Sequence, residues 1–558
     1  MRIRHLKIRN FRGIKEANLS FPKEQRVLCL IGAGDTTKTS ILTAIEYALW
    51  PNWNLQINTS DFYNCNLEEC IVVEVSVDEI PDELLTDNKY GLYLRGDVSA
   101  ENDEPMEGEE VLTVRLTVDD NLEPTWNVVC NRLEAKLISQ GDRQKIAVGY
   151  IGTDVKNRLN WGRGSVLGKY IDPRSTIKRS LSSLEEKSNE IADFTELDEI
   201  GMPLNMVAQG YGVKIDGNIN NRLVLKSTNT LSEIEVFEDS RPLNQRGLGS
   251  QKLLNVGLQI ECKDEQAVVL IDEIEIGLEP YRQRNLIHIL KKHSESAGQV
   301  IFTTHSPTSL VEMTNEQLLI VHSNDGITIF QRAYYGNPVI DNGFQAALRR
   351  YAEAFLSPKI IVCEGKTEVG FIRTVDENMI KNDSYSMASM GVAYIEAGGN
   401  SDALMLADKF DDLGYKVCVL CDNDRPEDEM KKQHLISKGI SIFQWQSGRC
   451  VETDWIPLFS EAQLVRIVEY IEEQNKTNVL SLLRNESIID DNNAIFLIDD
   501  KKLLKLATIC KERSVFKNID GGEEFGKYVI EVLDLLEDTI PAKIVMKGLK
   551  KWICEWSE

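Results

Sequence analysis

Arg26-Val-Leu-Cys-Leu-Ile31-Gly32-Ala-Gly34-Asp35-Thr36-Thr37-Lys38-Thr39-Ser40 decides the fold of the first half of the chain. Its unbroken apolar run predicts a buried, central strand. The residues from about Thr37 to Trp50 predict the helix that follows. A glycine-bearing turn between such a strand and helix aims backbone N–H groups at the helix N-terminus, where they stabilise phosphate. Lys38 adds a point charge, and the Thr39 hydroxyl can ligate magnesium. Gly32, Gly34, Asp35, Thr36, Thr37, Lys38, Thr39 and Ser40 are therefore candidate nucleotide contacts. Thr37 stands where this type of loop carries glycine. If the backbone there needs positive φ, threonine is strained and nucleotide affinity suffers.

Working outward, Arg2-Ile-Arg-His-Leu-Lys-Ile-Arg-Asn-Phe-Arg12-Gly alternates apolar and basic residues, as a strand ending in a turn does. Residues 70–120 alternate again, which predicts an antiparallel sheet interrupted by a solvated loop at Asp97–Gly108. Ala267-Val-Val-Leu-Ile-Asp272-Glu273 is an apolar strand ending in two carboxylates. Asp272 can hold magnesium through water and Glu273 can polarise an attacking water; an acidic strand end is otherwise mere solvation. Arg246-Gly-Leu-Gly249-Ser250-Gln-Lys252 is a Gly-rich turn opening a helix, and Thr303-Thr-His305 puts a histidine at a strand end. A lone histidine is more often a core residue, but the ordered series favours a phosphate-sensing role. The charged stretch from about Ser175 to Gln209 reads as an inserted helical arm or as a plain surface helix.

Phe344–Phe355 reads as a linking helix that Pro358 stops. A strand–helix alternation then begins at Lys359–Cys363, Val392–Ile395, Val417–Cys421 and Ile440–Trp445, with helices near Thr367–Met379 and Asp402–Leu413. That is a small parallel α/β unit, and residues 460–558 are mainly helical. Ile360-Ile-Val-Cys-Glu364-Gly-Lys-Thr-Glu368 places one acid at a strand end and a second four residues on, where a helix can turn both to one site. Val417-Cys-Val-Leu-Cys-Asp422-Asn-Asp424 offers two more, about 55 residues later. Such a set can hold one or two magnesium or manganese ions beside a phosphodiester. A single acidic strand end is usually surface decoration, whereas two on buried-looking parallel strands are much harder to dismiss.

The chain has 558 residues, so two to four domains are expected. It lacks the roughly 18 uninterrupted apolar residues of a membrane span and begins in a strand pattern, which gives the expectation of a cytoplasmic protein without membrane contact. Cysteines such as Cys29, Cys130, Cys262 and Cys363 sit singly in apolar runs, as reduced core thiols do. Cys418-x-x-Cys421 has metal-like spacing, but its strand is apolar and no second pair accompanies it, so core packing is favoured. A net charge of −25 disfavours a surface that grips DNA everywhere. A local basic groove is compatible with it.

The first series resembles the ATPase heads of the SMC and recombination-repair ABC group. That resemblance makes Gly249 and Ser250 a signature loop that contacts the γ-phosphate of the opposite subunit, and Glu275–Pro280 the D-loop. It also makes Arg12 a nucleotide ligand and implies that heads pair around ATP as a homodimer or tetramer. The second series resembles Toprim, with Glu364, Glu368, Asp422 and Asp424 as its acids. Ser447-Gly-Arg-Cys-Val-Glu452-Thr-Asp454 stands where Toprim nucleases carry a further acid, Glu452 preferred and Asp454 second. Lys517 is the candidate assisting base. Head followed by Toprim is similar to the OLD (overcoming lysogenization defect) family. It implies an α/β chain with an ABC-type ATPase domain at 1–340 (helical arm at about 175–210), a linker helix at 341–357 and a Toprim domain at 358–558 with a helical C-terminal region. The implied function is an ATP-regulated, metal-dependent DNA endonuclease or nickase of anti-phage defence, using ATP and Mg2+ or Mn2+, with a helicase or a retron reverse transcriptase and its RNA as partners in some settings. The competing expectation is an ATP-dependent sensor or scaffold whose Toprim site is silent until a partner arrives.

Overall fold

A computed structural model describes residues 1–34, 36–96, 103–105, 108–152, 201–213, 215, 217, 219–223, 234–262, 268–296, 298–334, 336–383, 385–424, 428–495 and 499–555. Asp35, most of the 97–108 loop and the expected arm up to residue 200 lie outside these residues; Gly201–Gly210 is a helix. The chain divides into two units, Met1–Ala333 and Tyr334–Glu558. Among the described residues no helix is long and apolar enough to cross a membrane.

Among the described residues of the first unit are fifteen strands: β1 (Arg2–Phe11), β2 (Ile14–Ser20), β3 (Val27–Ile31), β4 (Ile71–Asp78), β5 (Leu112–Val118), β6 (Pro124–Val129), β7 (Lys136–Leu137), β8 (Gly149–Ile151), β9 (Ile219–Leu223), β10 (Ile234–Glu238), β11 (Arg241–Pro242), β12 (Val268–Ile271), β13 (Gln299–Thr303), β14 (Leu318–Asn324) and β15 (Ile327–Arg332). Twelve of them form one sheet in the order β7-β6-β5-β4-β1-β2-β15-β14-β3-β13-β12-β8. One end, from β7 to β2, is antiparallel, and there alternation buries Ile71, Val73, Val75 and Val77 completely. The other end, β14-β3-β13-β12-β8, is parallel, and β3 and β13 are buried along their whole length. The apolar residues of β1 change phase between Ile3 and Leu6 because a register shift falls between Ile3 and His5. Helices α1 (Lys38–Ala48), α2 (Leu248–Cys262) and α3 (Pro280–Ser296) follow β3, β11 and β12. The C-terminal ends of β3, β12 and β13 thus carry Gly32, Asp272 and Thr304, the usual place for a ligand in a parallel sheet.

The second unit opens with α4 (Pro338–Arg350) and a 3-10 turn at Ala352–Leu356, whose Phe344 and Phe355 rings pack on each other and on Phe410. Its sheet holds β16 (Lys359–Cys363), β17 (Val392–Glu396), β18 (Lys416–Cys421) and β19 (Ser441–Gln444), all parallel, in the order β17-β16-β18-β19. Helices α5 (Lys366–Asn382), α6 (Asn400–Asp412), α7 (Glu429–Ser437) and α8 (Val451–Trp455) alternate with these strands or follow them. Then come α9 (Glu461–Glu473), α10 (Thr477–Asn485), α11 (Asp500–Glu512), α12 (Ile519–Leu533) and α13 (Pro541–Cys554). Cys418 and Cys421 are buried core thiols. Lys359, at the start of β16, is buried, and its Nζ donates to the carbonyls of Trp552, Ile553 and Glu555 at 2.7–2.8 Å. The ammonium satisfies the orphan carbonyls at the end of α13 and fastens the C-terminal helix to the first strand of the unit.

Candidate functional site

The turn from β3 into α1 wraps around one lysine. Lys38 Nζ donates to Gly32 O at 3.0 Å, Ala33 O at 2.7 Å and Thr36 Oγ1 at 2.9 Å. Gly32 is required there, since a Cβ on it would lie 2.3 Å from Val321 O. Thr37 does adopt the left-handed conformation, φ 64° and ψ 9°, which costs a β-branched residue about 1–2 kcal/mol. Its hydroxyl meets Thr328 Oγ1 of β15 at 3.1 Å, a contact glycine would not make. Thr39 Oγ1 donates to Asp272 Oδ2 at 2.9 Å and Oδ1 at 3.2 Å, and Thr303 Oγ1 donates to Asp272 Oδ1 at 2.6 Å. Hydroxyl and carboxylate, 233 residues apart, therefore meet as a magnesium-nucleotide site requires.

Glu273 follows Asp272 at φ 44°, and its N–H donates to Thr303 Oγ1 at 2.7 Å. Lys252 of α2 is fully buried and donates to the carbonyls of Asp272 and Glu273. Burial pulls this lysine down to about 8, against the upward pull of Glu275, Asp272 and Glu273. Gly249 packs so tightly on the turn at Gly277 that a Cβ would lie 2.0 Å from Gly277 O. Ser250 Oγ lies 3.4 Å from Arg282 NH1. Glu275 accepts from Thr304 Oγ1 and from His305 N, both at 2.6 Å, so it braces the strand end that exposes the His305 ring. Arg12 turns onto Asp61 (Nε to Oδ1, 2.9 Å) and α1, with Thr43 Oγ1 at 3.3 Å. Lys252 and Glu275 carry bonds that their sequence neighbourhood did not foretell; the only signal was a lysine directly after the Gly-Ser-Gln turn.

In the second unit Glu364 directly follows β16, and Asp422 N donates to Glu364 Oε2 at 2.9 Å. Asp422 Oδ1 in turn accepts from Val451 N at 3.1 Å. Glu368 caps α5, its Oε2 accepting from Gly365 N at 2.9 Å. Glu452 is fully buried on α8, and neither of its carboxylate oxygens has a hydrogen-bond partner. Helices α5 and α12 pack backbone to backbone: a Cβ on Gly370 would lie 2.0 Å from Ile519 O. This contact and the bond from Thr367 Oγ1 to Phe516 O at 3.0 Å bring Lys517 beside the acids.

Charge ties these groups together. Burial, then Glu364, raises Glu368 to about 7, and burial, then Glu368, Glu364 and Glu452, raises Asp422 to about 9. Burial lowers Lys517, but Glu452, Glu368, Asp422 and Glu364 together hold it above its ordinary value. Two nominated acids stand apart. Asp424 accepts from Lys511 Nζ at 2.9 Å, and Asp454 accepts from Gln446 N at 2.9 Å and Arg449 NH1 at 3.3 Å. Among the described residues no three acid, histidine or cysteine side chains converge as a ready chelate. The donor set nonetheless fits a hard divalent cation: four clustered carboxylates, one buried with both oxygens unpartnered, and one lysine against them.

Three family models match the chain. "AAA ATPase domain" covers residues 1–102, "AAA domain, putative AbiEii toxin, Type IV TA system" covers 155–312, and "Overcoming lysogenization defect protein-like, TOPRIM domain" covers 355–424. A putative ABC transporter ATP-binding protein of Pyrococcus abyssi is 28% identical over 144 residues, 26% of this chain and 50% of that protein. The Old nuclease of Escherichia phage P2 is 21% identical over 54% of this chain and 58% of its own length. The endonuclease GajA of Bacillus cereus is 21% identical over 77% of this chain and 76% of its own. The chain thus spans 50% and 58% of the first two relatives. A solved Smc head covers 60% of the chain at 15% identity, with a TM-score of 0.37. With ATPase-domain models matched ahead of an OLD-like Toprim model in one polypeptide, the chain is similar in domain order to the overcoming lysogenization defect (OLD) nucleases.

Proposed function

We propose that the chain is an ATP-regulated, divalent-metal-dependent DNA endonuclease or nickase that serves anti-phage defence. The observation that carries this reading is the group of buried Glu368, Asp422 and Glu452 and half-buried Glu364, with Lys517 against it. Mg2+ or Mn2+ bound there supplies Lewis acidity to a phosphodiester and to water. Those four carboxylates would hold the ion, and Asp424 and Asp454 are the further nominated ligands. Lys517 would face the phosphate oxygens, and Glu368 and Asp422 would release their protons on binding. In the first unit, the 32–40 loop and Lys38 would hold the phosphates of ATP, with Thr39 and Asp272 on its magnesium. Glu273 would orient the attacking water and His305 would sense the γ-phosphate. Gly249, Ser250 and Arg12 would complete the site when two heads pair, in a homodimer or tetramer.

Supercoiled plasmid incubated with Mg2+ or Mn2+, with and without ATP, tests the reading. Wild-type chain should nick it, and Asp422→Ala and Glu452→Gln should not, while ATP binding persists in both. Metal-dependent nicking retained by Asp422→Ala would refute the assignment. A second reading, an ATP-dependent sensor or scaffold with a silent Toprim site, is favoured by the pairing of Asp424 with Lys511. It predicts no nicking by the isolated chain and nicking once a partner is added.

A further inference from the structure

Lys511 and Lys517 flank the turn that leaves α11; both feel the charge of Asp422, but it is Lys511 that is hydrogen-bonded to Asp424. Lys517 faces the four-carboxylate group. Lys511 Nζ holds Asp424 Oδ2 at 2.9 Å in a pair whose side chains are 33% and 23% exposed. Asp424 lies only two residues beyond Asp422, whose carboxylate belongs to that group. The turn between them is fixed on both sides: Asn423 N donates to Arg449 O at 3.0 Å, Asn423 Nδ2 to Trp445 O at 3.1 Å, and Gly448 N to Asn423 O at 2.8 Å. With the backbone pinned, what remains free is the choice of the Asp424 side chain between the lysine and its acidic neighbours.

Acids crowded together resist any further negative charge, so without a cation the lysine wins. A partly exposed Lys–Asp pair is worth little, about 0–1 kcal/mol. A divalent ion among the acids reverses the sign of the field that keeps Asp424 out. We propose that Lys511 is a positioning residue: it holds the Asp424 carboxylate away from the four-acid group until a divalent cation draws it in, and the released ammonium then takes a phosphate oxygen of the nucleic acid. The inference rests on reading that group as the cation site of a nuclease. It makes cation entry and DNA binding cooperative, and it sets their dependence on Lys511 at opposite signs. A merely structural lysine would weaken both when removed.

The test titrates full-length chain with Mn2+, following free ion by electron paramagnetic resonance, and measures binding of a fluorescent duplex by anisotropy in Ca2+. Lys511→Met should bind Mn2+ about three- to fivefold tighter and bind DNA about fivefold more weakly, the change that losing one such pair or phosphate contact produces. Lys511→Arg should behave as wild type. In an Asp424→Asn background Lys511→Met should leave Mn2+ affinity unchanged. Thermal melting checks folding, and Lys511→Gln replaces the Met variant if that one unfolds. Unchanged or weaker Mn2+ binding by the folded variant overturns the proposal, as does an effect that persists without Asp424. If wild type and Asp422→Ala bind Mn2+ alike, the cation site itself is misread and both conclusions fall.

Discussion

Cation binding at the Toprim acids should expel protons. Glu368 is held at about 7 and Asp422 at about 9, so at pH 7 the first carries about half a proton and the second nearly a whole one. Metal ligands are deprotonated, which puts the expected release at about 1.5 protons per site. Affinity for Mn2+ should therefore rise about tenfold per pH unit between pH 7 and 9, more steeply below 7, and level off above 9. The folding equilibrium has the opposite sign. Both carboxyls titrate higher in the folded chain than in the unfolded one, so the metal-free protein loses stability as pH rises from about 4 through 7 to 9, and added cation restores it. Calorimetry with Mn2+ in buffers of different ionisation heat counts the protons directly, and Asp422→Asn should lower the count by about one. Binding at pH 7 that releases fewer than about 0.3 protons would refute the claim that these acids are both protonated and ligating.

Other substitutions probe other parts of the molecule. Glu452→Gln should weaken Mn2+ binding at least about tenfold, roughly 1.4 kcal/mol, while the metal-free chain still melts as a folded protein; unchanged Mn2+ affinity would remove Glu452 from the ligand set. Lys252→Met should slow ATP hydrolysis at least about tenfold, a loss of roughly 1.4 kcal/mol at the turn it holds, with ATP affinity nearly unchanged; equal losses in both would argue for a general defect. Thr37→Gly trades about 1–2 kcal/mol of left-handed strain against a hydroxyl contact of about 1 kcal/mol. Melting should shift little and affinity for a fluorescent ATP analogue should hold or rise severalfold, whereas a tenfold fall would mean that Thr37 helps bind nucleotide.

Period-two and strand–helix patterns carried most of the architecture. The β3 run, the Asp272 strand and the strands ending at Glu364 and Asp422 were legible because burial and an acidic end are local properties. The phase of β1 was not, since one irregularity shifts which side chains face inward. Asp422 and Asp424 look equivalent in sequence. They part company because β18 ends at Cys421, beyond which alternation no longer aims side chains, and because a lysine 87 residues later reaches only one of them. The same holds for Lys252 and Lys359, whose burial depends on carbonyls that distant folding brings near. Lys517 is nominated only through the Toprim resemblance, which implies an assisting basic residue late in the domain; its four carboxylate neighbours required the close approach of α5 and α12.

The bond of Lys359 to the last helix has a consequence for biosynthesis. Its acceptors lie 193 to 196 residues downstream, where α13 ends. A ribosome that has made the strand leading to Glu364 has not yet made the carbonyls that settle this ammonium, so the strand cannot reach its final environment until nearly 200 further residues have been added. A product truncated before Trp552 would carry a stranded cation beneath the strand that leads to Glu364.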